Sequence, residues 1–278
     1  IEMGRLESQI TFLLRVSDNQ LKTSLLDQAA EDIIENALRI TGLEKSTSAA
    51  GTIIKADPGN HVELRYYYNN VIHLFAIPSL VARILRHRND IGYQNLIDEV
   101  NLVLPFITNE LLIKNNPLST RTAVDRLLST LEAENLLIRQ QNQLNVQQHP
   151  IETYLGLYDL GDAVSPFLIR YYIVCYLLES NLPSQVEIEN TALSIYQQVF
   201  ETLNSVPAET ITTTPFNGFL KELVEQGWLD SGHSTDSAEV HNLQKFLASL
   251  LSADVIATVA SCSNTLLHKN IESTASSL

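Results

Sequence analysis

The chain has 278 residues, 45% of them hydrophobic, and its 18 basic against 32 acidic residues leave a net charge of −14. That length holds one large or two ordinary domains around a sizeable core, and the apolar content is that of a globular rather than a disordered chain. The acidic field repels nucleic acid and anionic lipid at long range, so no nucleic-acid partner is expected.

The first residues, "IEMGRLESQI", carry neither an initiator Met nor a basic-then-apolar leader, so the sequence reads as a piece of something longer. "LLDQAAEDIIENALRITG" then predicts a helix with Leu26, Ala30, Ile33, Ala37 and Leu38 on one stripe and Gly42 as its stop. "GTIIKADPGNHVEL" follows as a two-strand ribbon, with Pro58-Gly59 as the turn signal.

Next comes "YYYNNVIHLFAIPSLVARIL", residues 66 to 85. A membrane span needs about 20 apolar residues. Here only 71–85 qualifies, interrupted by His73, Pro78 and Arg83. It reads as a mostly buried helix instead. Proline breaks a helix interior, so two helices are expected, 63–75 and 78–88. Asn69, Asn70 and His73 fall within one turn. As polar groups in an apolar segment they are expected to be buried and hydrogen-bonded, tying the helix to adjacent backbone or to another domain.

"STRTAVDRLLSTLEAENLLI" predicts a helix capped by Ser119 or Thr120, with Val124, Leu127, Leu128 and Leu131 stacked. "NLLIRQQNQLNVQ" gives a second ribbon, turning at Asn142. Helix then hairpin is the outline of a winged helix. Its helix mixes Arg121 and Arg126 with Asp125, Glu132 and Glu134, so it has no basic face to place on phosphates. No salt-dependent gel shift with duplex DNA is expected at low micromolar protein, and a winged helix here would serve protein packing.

"FLIRYYIVCYLLE", 167–179, contains Arg170 and stops at Glu179, so it too is a buried helix rather than a span. "TPFNGFLKELVEQGWLD" starts on Thr-Pro and stacks Phe216, Phe219, Leu220, Leu223 and Val224, and Val199, Leu203 and "NLQKFLASLL" add further helices. The expected fold class is mainly α: a helical domain with small β-hairpins and winged-helix-like subunits. A helical and hairpin subdomain over 1–148 and a helical one over 149–278 are expected. Cys175 and Cys262 are too few for a disulfide framework and fit a reducing environment.

Catalytic patterns are missing. There is no Gly-rich phosphate loop, no G-x-S-x-G and no Cys-x-x-Cys. His233, Ser234 and Asp236 are neighbours in a polar loop, which is not how a triad forms. His87 and Asp90 lack a third ligand at helical spacing, so no metal site is expected.

The segment at 66–82 resembles the "YYRNNxxHLFxxPSLxA" signature of the bacterial membrane-associated glycerol-3-phosphate 1-O-acyltransferases of the PlsB type. "LPFITNELLI", "FLIRYYIVCYLL", "LLSADVIATVAS" and "AAEDIIENALRITGLE" are similar to further segments of that family, in the same order. One departure is Tyr68, where the family commonly has Arg; Arg65, three residues earlier, can compensate. The resemblance implies an enzyme moving an acyl group from acyl-CoA or acyl-carrier protein to glycerol 3-phosphate at the cytoplasmic face of the inner membrane. Those donors are co-substrates, and no other cofactor is expected. The family's base lies in a His-x4-Asp motif. Five residues after the seven His stand Tyr66, Pro78, Gly92, Tyr154, Ala238, Phe246 and Ser273, never Asp. The resemblance therefore implies a C-terminal region without catalytic residues of its own, whose partner is an upstream acyltransferase domain of the same polypeptide and whose membrane association is peripheral, through that parent. The signature residues Arg65, Tyr66, Tyr67, Asn69, Asn70, His73 and Pro78 are then structural or line a domain interface. The alternative reading is a stand-alone helical interaction module with no chemistry.

Overall fold

Apolar periodicity becomes helix along nearly the whole chain. The structure, a computed structural model, describes residues 1–17, 28–49, 51–113, 117–180, 184–203, 212–230 and 237–275. They form two compact units: 1–108 with 114–164, and 109–113 with 165–278. The expected boundary at 148/149 falls inside the first unit, because the helix that follows it packs there.

The first unit opens with α1 (Met3–Ser17) and α2 (Ala30–Thr41), which ends on Gly42 in the left-handed region at φ 64°. Gly42 donates to the Leu38 carbonyl and closes the helix as expected. The stripe on α2 is shifted from the expected one. Leu26 lies outside the described residues, Ala30 and Ile33 are half-buried and Ala37 is exposed, while Leu38 and, off the predicted stripe, Ile34 are buried. With Met3 and Ile54 they form a small separate core.

Strands β1 (Glu44–Ser48) and β2 (Gly51–Lys55) pair antiparallel, closing between Ser48 and Gly51. The turn expected at Pro58-Gly59 is not one. Pro58–Asn60 instead form a 3-10 turn, where the Asn60 side chain accepts from the Asp57 amide at 3.0 Å. A proline has no amide to lose at such a start, so it feeds the next helix rather than reversing a ribbon.

That helix, α3 (His61–His87), is continuous through Pro78. The two-helix reading is corrected here. An interior proline costs about 3 kcal/mol in isolation. Around it Ala76, Leu80, Val81, Ala82, Ile84 and Leu85 are at most 1% exposed, and their burial outweighs that cost.

Strand β3 (Asp90–Gly92), α4 (Tyr93–Glu110), α5 (Pro117–Ala133), β4 (Leu137–Gln140) and β5 (Gln143–Val146) follow. The sheet order is β3-β5-β4, antiparallel throughout. With α3 in front, this helix–strand–helix–helix–strand–strand order is that of a winged helix. Helix α5 begins two residues before the expected Ser119 cap, and Thr120 is buried within it. Its Val124, Leu127, Leu128 and Leu131 are buried as the periodicity predicts.

The unit ends with α6 (Ile151–Asp162), which lies against both α3 and α1. Two glycines allow this. A Cβ on Gly156 would meet the Phe12 ring at 3.0 Å, and one on Gly161 would meet the Arg83 amide at 3.1 Å and its Cα at 3.2 Å. Backbone gives way less easily than a flexible side chain. Gly161→Ala is therefore expected to lose about 1–3 kcal/mol by overpacking, read as a lower urea midpoint.

The second unit is all helical among the described residues: α7 (Ser165–Leu178), α8 (Gln185–Thr202), α9 (Thr214–Glu225), α10 (Ala238–Leu250) and α11 (Ala253–Ala275). Eleven of the fourteen residues of α7 are buried, as a helix apolar on all sides should be. Tyr171 of α7 stacks on Phe219 of α9 with ring centroids 4.4 Å apart. Cys175 is fully buried, and burial pushes its thiol well up. Ser237 caps α10, accepting from the Val240 amide at 3.3 Å. The polar loop with His233, Ser234 and Asp236 lies outside the described residues. No helix among the described residues is long and apolar enough to cross a membrane.

Candidate functional site

The signature residues all sit on α3, and the helix divides them between two faces. One face carries Tyr66, Asn69, Asn70 and His73 together with Val62, and all five are exposed. The expectation that Asn69, Asn70 and His73 are buried is thereby corrected. They belong to the first half of α3, where Ile72 is buried but most side chains are not, and near-continuous burial sets in from Ala76 onward. Truncating His73 should therefore shift an unfolding midpoint by no more than about 0.5 kcal/mol, rather than the loss a buried polar group would produce. Tyr66 is 65% exposed and meets Tyr67 edge-on at 5.8 Å, and the Tyr67 hydroxyl donates to Glu63 at 3.3 Å.

The other face is turned inward. Arg65 lies over the Tyr68 ring, its guanidinium carbon 4.6 Å from the centroid. The Tyr68 hydroxyl donates to the Ala163 carbonyl beyond α6. Tyr68, Val71, Ile72 and Phe75 then line a groove of about 200 Å³ between α1, α3 and α6. Pro78 is buried further along the same helix. Arg65 thus lies beside Tyr68 on the same helix.

Beyond the signature, α3 carries a charged cluster that sequence reasoning missed. Arg83 is buried and pairs with Asp162, which also accepts from Arg86 at 2.9 Å. Arg86 further donates to the Tyr158 carbonyl and stacks on its ring at 3.7 Å. Desolvation first, then Arg86, lowers the Arg83 pKa to about 10, so it stays charged at neutral pH. His87 is lowered to about 4, by desolvation and then by Arg83, Arg86 and Arg88. Its ordinary value is 6.5, so between about 6.5 and 4 the unfolded chain binds the extra proton. Stability is expected to fall as pH drops through that window, and less steeply in His87→Gln. Urea midpoints of both chains at pH 7 and pH 5 read the difference.

In the second unit two further family-like segments meet. Glu110 of "LPFITNELLI" pairs with Arg170 of "FLIRYYIVCYLL" and accepts from the Tyr171 hydroxyl at 2.8 Å. Arg170 also reaches the Tyr196 hydroxyl at 3.5 Å, while its Nε is buried without a partner. Desolvation opposes its charge, but Glu110 and the two tyrosines outweigh it and raise its pKa. Sixty residues separate this pair, and no spacing rule connects them. Among the described residues no three His, Cys, Asp or Glu converge as a metal site would require.

Fold and surface together define a mainly helical region that shows most of its signature residues to solvent. The chain belongs to the family described as the glycerol-3-phosphate acyltransferase C-terminal region, whose model matches residues 1–232. It is similar to the glycerol-3-phosphate acyltransferase of Glaesserella parasuis, 28% identical over 86% of this chain and 29% of that protein. The one from Actinobacillus pleuropneumoniae serotype 3 is also 28% identical, over 84% of this chain and 28% of that protein. In Actinobacillus succinogenes the figures are 26%, 95% and 32%. The chain thus spans about a third or less of the curated relatives it matches.

Proposed function

We propose that this chain is the non-catalytic C-terminal region of an enzyme that transfers a fatty acyl group from acyl-CoA or acyl-carrier protein to the 1-hydroxyl of sn-glycerol 3-phosphate. The observation that carries this is the match of residues 1–232 to a C-terminal-region family. Most of each relative's length lies outside the match, which leaves room for the His-x4-Asp base that no His here provides. Acyl-CoA or acyl-carrier protein is the co-substrate of the parent, and the reading needs no other cofactor. The working location is the cytoplasmic face of the inner membrane, reached peripherally through the parent protein.

In this reading the exposed face of α3, with Val62, Tyr66, Asn69, Asn70 and His73, docks on the upstream acyltransferase domain. It supplies an aromatic ring and hydrogen-bonding groups, with the exposed Glu63 at its edge, and aromatic side chains are favoured at interface cores. The test is lysophosphatidate formation from radiolabelled glycerol 3-phosphate and acyl-CoA. The chain alone is expected to give nothing above a heat-killed control, and activity is expected when the upstream domain is supplied as a separate polypeptide. Product from the purified chain alone would sink the assignment. The winged-helix order over 61–146 favours one other reading, a stand-alone interaction module. That reading gains if the upstream domain is fully active without this chain.

A further inference from the structure

The groove between α1, α3 and α6 is walled by Leu13, Val71, Ile72, Phe75 and Leu160. The polar groups at its rim are engaged within the protein. The Tyr68 hydroxyl is held by the Ala163 carbonyl, and Asp159 accepts from the Gln9 amide and, at 3.2 Å, from Arg5. A polar occupant would give up its hydration against a mostly apolar wall, at a cost of about 1–3 kcal/mol for each group left unpaired. A helix does not fit either. Its diameter with side chains is about 10–12 Å, too broad for a groove of about 200 Å³. Hydrocarbon does fit, since an apolar cavity of about 150 Å³ already takes up benzene.

Charge agrees with this. Whereas the chain as a whole carries −14, the rim pairs Arg5 with Asp159 and is locally neutral. Val71, 40% exposed, marks the point where the groove opens to water.

We propose that this groove binds the distal part of the fatty acyl chain of the acyl donor, with the thioester and head group left in water beside Val71. The source of the chain rests on the acyltransferase reading; the preference for hydrocarbon rests on the groove itself. In the parent enzyme the groove would then contribute to the choice of acyl chain.

The probe is palmitoyl-CoA with a photoreactive diazirine at the end of its acyl chain, added to the 278-residue protein at low micromolar concentration. Saturable labelling is expected within residues 71–75 or 156–160, competed by unlabelled palmitoyl-CoA. Val71→Asp places a charge at the mouth and should weaken labelling about tenfold or more at an unchanged unfolding midpoint. Val71→Trp, which blocks the same opening without a charge, serves if the aspartate variant unfolds. Across saturated acyl-CoAs, binding should strengthen about fourfold per methylene until the groove is full. Labelling elsewhere, labelling that neither variant reduces, or binding indifferent to chain length would overturn the proposal. Labelling from phosphatidylglycerol vesicles bearing the same group, but not from palmitoyl-CoA, would overturn the donor as occupant. The two readings fail separately. Reconstituted activity with no groove labelling rejects the groove alone, whereas groove labelling with no reconstituted activity keeps a hydrocarbon site and rejects the acyltransferase reading together with the acyl donor as its occupant.

Discussion

Arg170→Met is expected to cost about 3–5 kcal/mol of the second unit's stability, among the largest effects of any single substitution in this chain. The reason lies in what remains behind. Among the described residues Glu110 keeps only the Tyr171 hydroxyl once the guanidinium is gone, and its side chain is four-fifths covered. A buried charge without its counter-charge is costly, whereas a buried pair against a well-packed apolar replacement is close to neutral. Arg170→Met combined with Glu110→Leu should therefore recover most of the loss. A urea titration of the two single variants and the double variant makes the cycle. If the double variant is as unstable as the sum of the singles, the pair is not coupled and the account of this core is wrong.

Tyr66→Ala with His73→Ala is expected to leave stability nearly untouched and to weaken reconstitution with the upstream domain by about 30-fold or more. Both side chains are exposed, so folding loses little. An interface anchor behaves in the opposite way, because truncating a buried aromatic contact costs about 2 kcal/mol or more in binding. Titrating the upstream domain against this chain, with product formation as readout, gives the apparent affinity of wild type and variant. An unchanged titration curve would remove this face of α3 from the interface.

Much of the helical framework was legible because burial leaves a period in the sequence. The stack on α5, the stop at Gly42, the ribbon turning at Asn142 and the all-apolar α7 follow from local patterns alone. Pro78 shows the limit. A proline in an apolar run carries the same local signal whether the helix breaks or continues, and here the decision belongs to packing against α6. The signature residues were legible as a group but not in the direction they face. Asn69, Asn70 and His73 sit where α3 passes from the surface into the core, and a polar cluster reads alike on either side of that point. The Arg83–Asp162 and Arg170–Glu110 pairs, each with a buried arginine, are assembled from distant segments and left no trace at short range. The groove is harder still to foresee, since its shape depends on how closely Gly156 and Gly161 let three helices approach.

Cys175 gives the second unit a clock of its own. A thiol with no exposed surface and a strongly raised pKa reacts only when the helices around it part. Its rate of alkylation therefore counts opening events of the α7 core, while half-buried Cys262 on α11 shows that the reagent is in working order. Followed with and without the upstream domain, that rate would tell whether assembly quietens the breathing of this unit.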